Sequence, residues 1–289
     1  MQNTEQNYIP IGTSVAGLCI TPANWQEIKI GTIAYYLESL LVKPGYVALK
    51  EIPDLAAYLG WSGKFVLNAT RIMVNKEGIF TLISPFDGSK LKLTYSQLME
   101  IIQHIKPDAV ILPKNVLQDF PEIWENWNDE ITPFIASVDL LKQEVSRRHG
   151  VYFSVDGTGF TDVFLENAKR WSHLPRYFLT GSLSYELMAQ LKIEGVEWWI
   201  ESDEPAALAM KGIVFSQNGM VDLTENNTEM QFEVIDSACL CPTCSQQFTK
   251  AYLHHLYLHT PLLCQRFLIQ HNAYYALKNC KTNSFMDKA

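Results

Sequence analysis

No run of apolar residues in this chain approaches the roughly 20 that a membrane-spanning helix needs, although hydrophobic residues make up 47% of its 289 positions. The opening stretch, Met1 to Gly12, is polar at its start and lacks a basic region followed by an apolar one, so no secretory leader is expected. Glycine-rich phosphate loops are missing too. Neither G-x-G-x-x-G nor G-x-x-x-x-G-K-[ST] occurs, which removes the usual dinucleotide and P-loop sites. Cations are in deficit: 23 Lys and Arg stand against 31 Asp and Glu, a formal charge of −8. Phosphate contacts come from clustered Lys and Arg, so a general nucleic-acid-binding face is not expected. The best local exception, Lys142 to Gly150 (KQEVSRRHG), reads as a solvated helix end. These absences describe a soluble cytoplasmic protein whose six cysteines suit metal or free thiols better than disulfides.

What is present is a recurring alternation. Short β-rich runs stand at 8–12, 32–37, 64–68, 109–113, 133–138, 151–155, 176–181 and 196–201. Most are continuously apolar, as strands buried on both faces of a parallel sheet should be. Helical stretches lie between them, among them Thr21–Ile28, Thr94–Ile105, Gly159–Trp171 and Ser182–Gly195, with helix-start signals at Thr21-Pro22 and Thr94 to Gln97. Eight strands alternating with helices predict a (β/α)8 barrel of the TIM type, an open doubly wound sheet being the alternative. The segment Arg71–Thr94 interrupts the pattern with strand-like runs around turns at Asn75–Gly78 and Asp87–Ser89, an antiparallel hairpin inserted after strand three. The aromatics Tyr152, Phe153, Trp198 and Trp199 read as barrel core.

Near the C-terminus, Cys239, Cys241 and Cys244 form C-x-C-x-x-C. Three thiolates so close together would repel unless protonated or bound to a metal, and zinc takes four tetrahedral thiolate and imidazole ligands. The spacing therefore predicts a zinc site, with His254, His255, His259 and His271 as competing fourth ligands. Cys264 and Cys280 read as ordinary buried thiols.

The cysteine trio, the run Ala251-Tyr-Leu-His-His-Leu256 and the segment His271-Asn272-Ala-Tyr274-Tyr275 resemble the zinc subdomain of the tRNA-guanine transglycosylases, also called queuine tRNA-ribosyltransferases. The likeness extends along nearly the whole chain, through Ile9–Thr13, Thr21–Ile28, Lys43-Pro-Gly45, Asp87-Gly-Ser-Lys90, Arg176–Gly181 and Gly195–Trp199. It implies a (β/α)8 barrel over 1–230, a zinc-binding subdomain with C-terminal helices over 231–289, and one structural zinc held by Cys239, Cys241, Cys244 and His271.

The residues of the family's chemistry do not carry over at matching positions. In the family an aspartate closing a G-V-D-x-F-D motif at the end of strand eight attacks the ribose carbon. The matched segment here is Gly195-Val-Glu-Trp-Trp-Ile200, which places Ile200 at the nucleophile. The strand-three motif D-S-G-G-F-Q is matched by Asn68-Ala-Thr-Arg-Ile-Met73. The base-recognising aspartate of strand four is matched by Pro113-Lys114-Asn115, the strand-five glutamine falls near Ser137, and the strand-six glycines become Ser154-Val-Asp-Gly-Thr-Gly159. The basic loop P-T-R-N-A-R-N-G becomes Pro205-Ala-Ala-Leu-Ala-Met-Lys-Gly212, without its arginines, so tRNA docking is expected to be weakened.

The resemblance therefore implies a non-catalytic, zinc-stabilised scaffold or partner subunit in 7-deazaguanine (queuosine-type) modification of nucleic acid, pairing with itself or with a catalytic transglycosylase. The alternative is a rebuilt carboxylate site that exchanges or hydrolyses bases. Glu201 and Asp203 would then serve at the end of strand eight and Asp156 at the mouth of strand six, with a one-residue shift bringing Glu201 to the old nucleophile position.

Overall fold

A computed structural model describes residues 7–75, 77–155, 166, 168–181 and 198–279. Eight parallel strands form one sheet: β1 (Tyr8–Ile9), β2 (Thr32–Tyr36), β3 (Lys64–Asn68), β6 (Ala109–Ile111), β7 (Thr132–Ala136), β8 (Gly150–Val155), β9 (Arg176–Thr180) and β10 (Trp198–Glu201). Their order is β1-β10-β9-β8-β7-β6-β3-β2, and every neighbouring pair is parallel. The two ends meet through a parallel bridge between Ile11 and Ala34, with the Gly12 amide donating to the Ala34 carbonyl at 2.8 Å and the Ala34 amide to that of Pro10 at 2.9 Å. The barrel is thereby nearly closed, as the alternation of elements predicts, and the open-sheet alternative falls.

Strand pleating sorts the side chains. Ile9, Ala34, Val66, Ile111, Phe134, Ala136, Tyr152 and Tyr177 fill the lumen as one buried cluster, with Leu179 and Trp199 against it. Their sequence neighbours Ile33, Phe65, Leu67, Val110, Ile135, Phe153, Phe178, Trp198 and Ile200 belong to the larger core between the barrel and its helices. The four aromatics expected in the core divide accordingly, Tyr152 and Trp199 inside and Phe153 and Trp198 outside.

The inserted excursion is a two-stranded antiparallel sheet, β4 (Ile79–Ile83) and β5 (Lys90–Thr94), joined by the turn at Asp87–Ser89. The strand-like run before Asn75 contributes only the bridge Val74–Phe80. Thr94 then caps the helix Tyr95–Ile105, its hydroxyl accepting from the Gln97 amide at 3.3 Å while the Gln97 side chain accepts from the Thr94 amide at 2.9 Å. The basic stretch Lys142–Gly150 is not a helix end. It is a largely exposed connection from the short helix Ser137–Leu140 to β8, held by Arg147, whose guanidinium bonds Asp129 at 2.8 Å and lies 5.0 Å from the Trp124 ring centre.

After β10 the chain forms the helix Glu204–Met210 and an antiparallel hairpin, β11 (Ile213–Ser216) and β12 (Gly219–Asp222), then the helices Lys250–His259 and Pro261–Asn279. Gln270 fastens the last helix to the first barrel layer, donating to Glu27 at 2.7 Å. Among the described residues no helix is long and apolar enough to cross a membrane.

A test of the closing seam lies at Gly17. A Cβ there would collide with the carbonyl oxygen of Ile11, the residue that bridges to Ala34. Gly17→Ala is expected to cost about 1–3 kcal/mol of unfolding free energy, as overpacking does, whereas Gly88→Ala would meet nothing within 4 Å and only the strain of its φ of +72°. Denaturant titration of both variants checks the contrast; equal losses would refute it.

Candidate functional site

Two groups of chemically capable side chains emerge, one at the C-terminal mouth of the barrel and one beneath the last helix.

At the mouth, Ile200 and Glu201 occupy successive pleats of β10. Ile200 is fully buried in the outer core, and Glu201 projects into the lumen at 2% exposure. The Asn68 amide, at the end of β3, donates to both Glu201 oxygens at 2.8 and 3.1 Å. The Tyr177 hydroxyl donates to Oε2 at 2.8 Å, and Tyr36 of β2 adds a further side-chain hydrogen bond. Asn68 is itself oriented, its Oδ1 accepting from the amide and hydroxyl of Thr70 at 2.9 and 2.7 Å. Arg71 lies 3.8 Å from the Tyr36 ring centre and within 3.8 Å of Glu38.

Burial pushes the Glu201 carboxyl up to about 7, although the bonds from Tyr177, Tyr36 and Asn68 and the Arg71 charge pull the other way. Burial also keeps Tyr177 protonated, reinforced by the Glu201 charge, so it remains a donor. Asp203 follows Glu201 by two residues; burial raises its pKa, the charge of Arg71 pulling the other way, and its Oδ1 is buried with no hydrogen-bond partner among the described residues. Glu201 and Asp203 therefore reach the same mouth. Asp156, the third candidate carboxylate, lies outside the described residues, as does the Gly195–Glu197 segment. Sequence reasoning missed Tyr36 and Tyr177. The signal available for Tyr177 was its alternation with Leu179 along β9, which marks both as inward.

The second group is Cys239, Cys241, Cys244 and His271, whose ligand atoms all lie within 4.8 Å of one another. His271 Nδ1 stands 3.8, 3.3 and 3.4 Å from the sulfurs of Cys239, Cys241 and Cys244. A tetrahedron with metal–sulfur bonds of about 2.3 Å and a metal–nitrogen bond of about 2.0 Å has edges of this size. Nε2 of the same ring is 2.7 Å from the Phe215 carbonyl, which fixes the proton there and leaves Nδ1 as the free lone pair. The donor set, with the Phe215 carbonyl orienting the His271 ring, suits one metal ion with four protein ligands and no open position.

The competing histidines go elsewhere. His254 Nδ1 is 2.7 Å from the Leu223 carbonyl, and the rings of His255 and His259 pack together, tilted by 45° with centres 4.5 Å apart. Cys264 donates to the Leu253 carbonyl at 3.2 Å, and burial raises its pKa to about 12. Cys280 lies outside the described residues.

The family profile described as queuine tRNA-ribosyltransferase matches residues 162–282. A queuine tRNA-ribosyltransferase of Thermotoga petrophila is 26% identical, over 92% of this chain and 82% of its own length. Those of Thermotoga neapolitana and a Thermoanaerobacter species are 24% and 23% identical, over 97% and 94% of this chain and 85% and 83% of their own lengths.

The buried carboxyl gives a pH-dependent stability with a definite sign. Glu201 binds its proton more tightly folded, at about 7, than an ordinary glutamate at 4.5. Its contribution is then most favourable below pH 4.5 and is lost as pH rises to about 7. At about 1.4 kcal/mol per unit, the loss amounts to roughly 3 kcal/mol. Glu201→Gln should flatten that part of the stability profile. A difference between wild type and variant that does not change from pH 4.5 to 8 would overturn the assignment.

Proposed function

Because the chain belongs to the queuine tRNA-ribosyltransferase family, we propose that its barrel acts on the N-glycosidic bond of a nucleoside, with Glu201 as the carboxylate that captures the ribose carbon. The observation that carries this reading is the inward projection of Glu201 at the end of the eighth barrel strand, between neutral donors from β2, β3 and β9. Carboxylates at that end of a barrel strand sit where barrel active sites form. A Glu201 oxygen would bond to C1′ as the C1′–N bond breaks, the electron pair leaving with the base nitrogen, which takes a proton. An incoming base nitrogen or a water would then displace the carboxylate, completing exchange or hydrolysis. Asp203, whose burial favours its protonated form, is the residue we assign to protonate the leaving base. Asp156 remains an alternative for that role.

The helix Glu204–Met210 stands where the family's basic loop would lie and carries no arginine. Binding to the phosphates of tRNA is therefore expected to be weak, and the substrate to be held mainly at the mouth itself.

A second reading is favoured by a different observation. Glu201 is only 2% exposed, and both its oxygens are already bonded. On this reading the barrel is a non-catalytic scaffold, acting as a homodimer or as the partner subunit of a catalytic transglycosylase in queuosine-type modification.

Under either reading we assign the Cys239, Cys241, Cys244 and His271 cluster to one structural Zn2+, because the four ligands close the coordination shell. We also divide the chain at residue 230, with the cluster and its helices forming the unit 231–289. Elemental analysis should find about one zinc per chain, and Cys241→Ala should lose it together with the cooperative unfolding of that unit, since structural zinc contributes folding free energy. Metal-free protein with an unchanged unfolding curve would refute the zinc assignment.

The two readings part on turnover. Release or exchange of labelled base, measured on tRNA, DNA and free nucleosides, should rise with pH through about 7 as Glu201 ionises. Glu201→Gln should reduce it by at least about 10³-fold, as loss of a nucleophile does. Silence on all substrates, with stable binding to an intact transglycosylase chain, would establish the scaffold reading instead.

A further inference from the structure

The helix Lys250–His259 turns one face to the core and the other to solvent. Leu253 and Leu256 are buried, and His254 beside them sets its Nδ1 2.7 Å from the Leu223 carbonyl. The Tyr257 hydroxyl donates to the Met210 carbonyl at 3.1 Å, and the Thr249 hydroxyl caps the first turn by accepting from the Tyr252 amide at 3.1 Å. These contacts fix the helix. Its turn of 3.6 residues then brings His255 and His259, at i and i+4, onto neighbouring positions of the exposed face.

The two rings are tilted by 45° with centres 4.5 Å apart, and among the described residues neither has a hydrogen-bond partner or an ion pair. Lys250, the one other charged side chain of the helix, is held by Glu233 at 2.8 Å, so no free ammonium of this helix stands against a cation. Neutral imidazole is a ligand for Zn2+, Ni2+ and Cu2+ rather than for Mg2+ or Ca2+, which take oxygen. The spacing discriminates further. With metal–nitrogen bonds of about 2.0–2.1 Å, each ring centre would lie roughly 3.2 Å from a shared ion. Two rings at about 90° then stand roughly 4.5 Å apart, and two at a tetrahedral angle roughly 5.2 Å apart. A right angle belongs to the tetragonal ions Ni2+ and Cu2+.

We propose that His255 and His259 form a second metal site, open to solvent, that takes a tetragonal divalent ion, Ni2+ or Cu2+, through one nitrogen of each ring. It differs in kind from the Cys239, Cys241, Cys244 and His271 cluster. Four protein ligands close that shell, whereas two leave most of this one to water, so the ion is exchangeable and can accept a further ligand. The pair was read from the sequence as a rival for the fourth place in the cysteine site, and the helix holds it ready for an ion of its own. The inference does not rest on the chemistry assigned to Glu201.

Calorimetric titration with Ni2+ of the intact, zinc-loaded protein, dialysed free of loosely held metal, tests it. About one nickel per chain should bind while elemental analysis still finds the zinc. His255→Ala and His259→Ala, both on the surface, should each weaken that nickel by roughly 10²-fold, the gain that comes from linking two ligands. The circular dichroism melt without nickel should stay unchanged in both. His173→Ala removes a different exposed histidine and should bind nickel as the wild type does. Added Zn2+ should bind the pair at least about tenfold more weakly than Ni2+. No nickel beyond the zinc, nickel uptake matched by zinc loss, zinc binding at the pair as tight as nickel, or nickel binding indifferent to the two helix substitutions would each overturn the proposal.

Discussion

The pleat of a closed parallel sheet gives each strand residue two destinations, the lumen or the helical layer, and most of what is distinctive here follows from that constraint. On β10 it sends Ile200 outward and Glu201 inward. A carboxylate in an apolar lumen is costly unless its oxygens are bonded. The neighbouring strands meet that need with Tyr36, Asn68 and Tyr177. The amide at position 68 has a physical reason in this setting. A carboxylate there would stand within hydrogen-bond distance of Glu201, and like charges so close cannot both ionise. Asn68 instead donates to both oxygens and is locked in that orientation by Thr70. Asn68 and Glu201 thus form one unit, and the replacement of an acid on β3 is no independent sign of a lost site.

A comparable economy governs the C-terminal cluster. His271 and Asn272 are adjacent on the last helix, and both are fully buried. His271 turns Nδ1 towards the three sulfurs and Nε2 to the Phe215 carbonyl. Asn272 reaches the same hairpin, accepting from the Phe215 amide at 3.0 Å and donating to the carbonyls of Ile213 and Pro205, each at 2.9 Å. One dipeptide therefore joins the metal-ligand group, β11 and the helix that follows the barrel. The position of the ligand cluster is coupled to the segment that leaves the barrel mouth, because the same two residues hold both.

The barrel was legible because buried parallel strands are continuously apolar, and the eight runs read from the sequence coincide with the eight strands to within a few residues. The metal-ligand group was legible because C-x-C-x-x-C is local. Its fourth member was not, since four histidines compete over a short span and only the fold shows that His254 serves a carbonyl and His255 and His259 face each other. The mouth was the least legible part. Matching Gly195–Ile200 to a family motif counts residues along one strand, whereas the geometry depends on which pleat faces inward. A slip of one residue exchanges the two faces, and on β10 the inward residue is Glu201 while Ile200 faces the outer core. Tyr36 and Tyr177 carry no motif at all and become functional candidates only when three separated strands are laid side by side.

The altered mouth can be understood as one change of electrostatic character. The segment after β10 has become a helix with Glu204 in its first turn and no arginine, which weakens attraction for a polyanion. Lys114 and Arg170, which form no ion pair among the described residues, line a small cavity at the ends of β7 and β8. A surface that holds a folded RNA needs cations spread over many phosphates, because affinity grows with the number neutralised. Glu201, its pKa raised towards neutrality by burial and its oxygens held by the Asn68 and Tyr177 donors, stands at the end of β10 just before that segment.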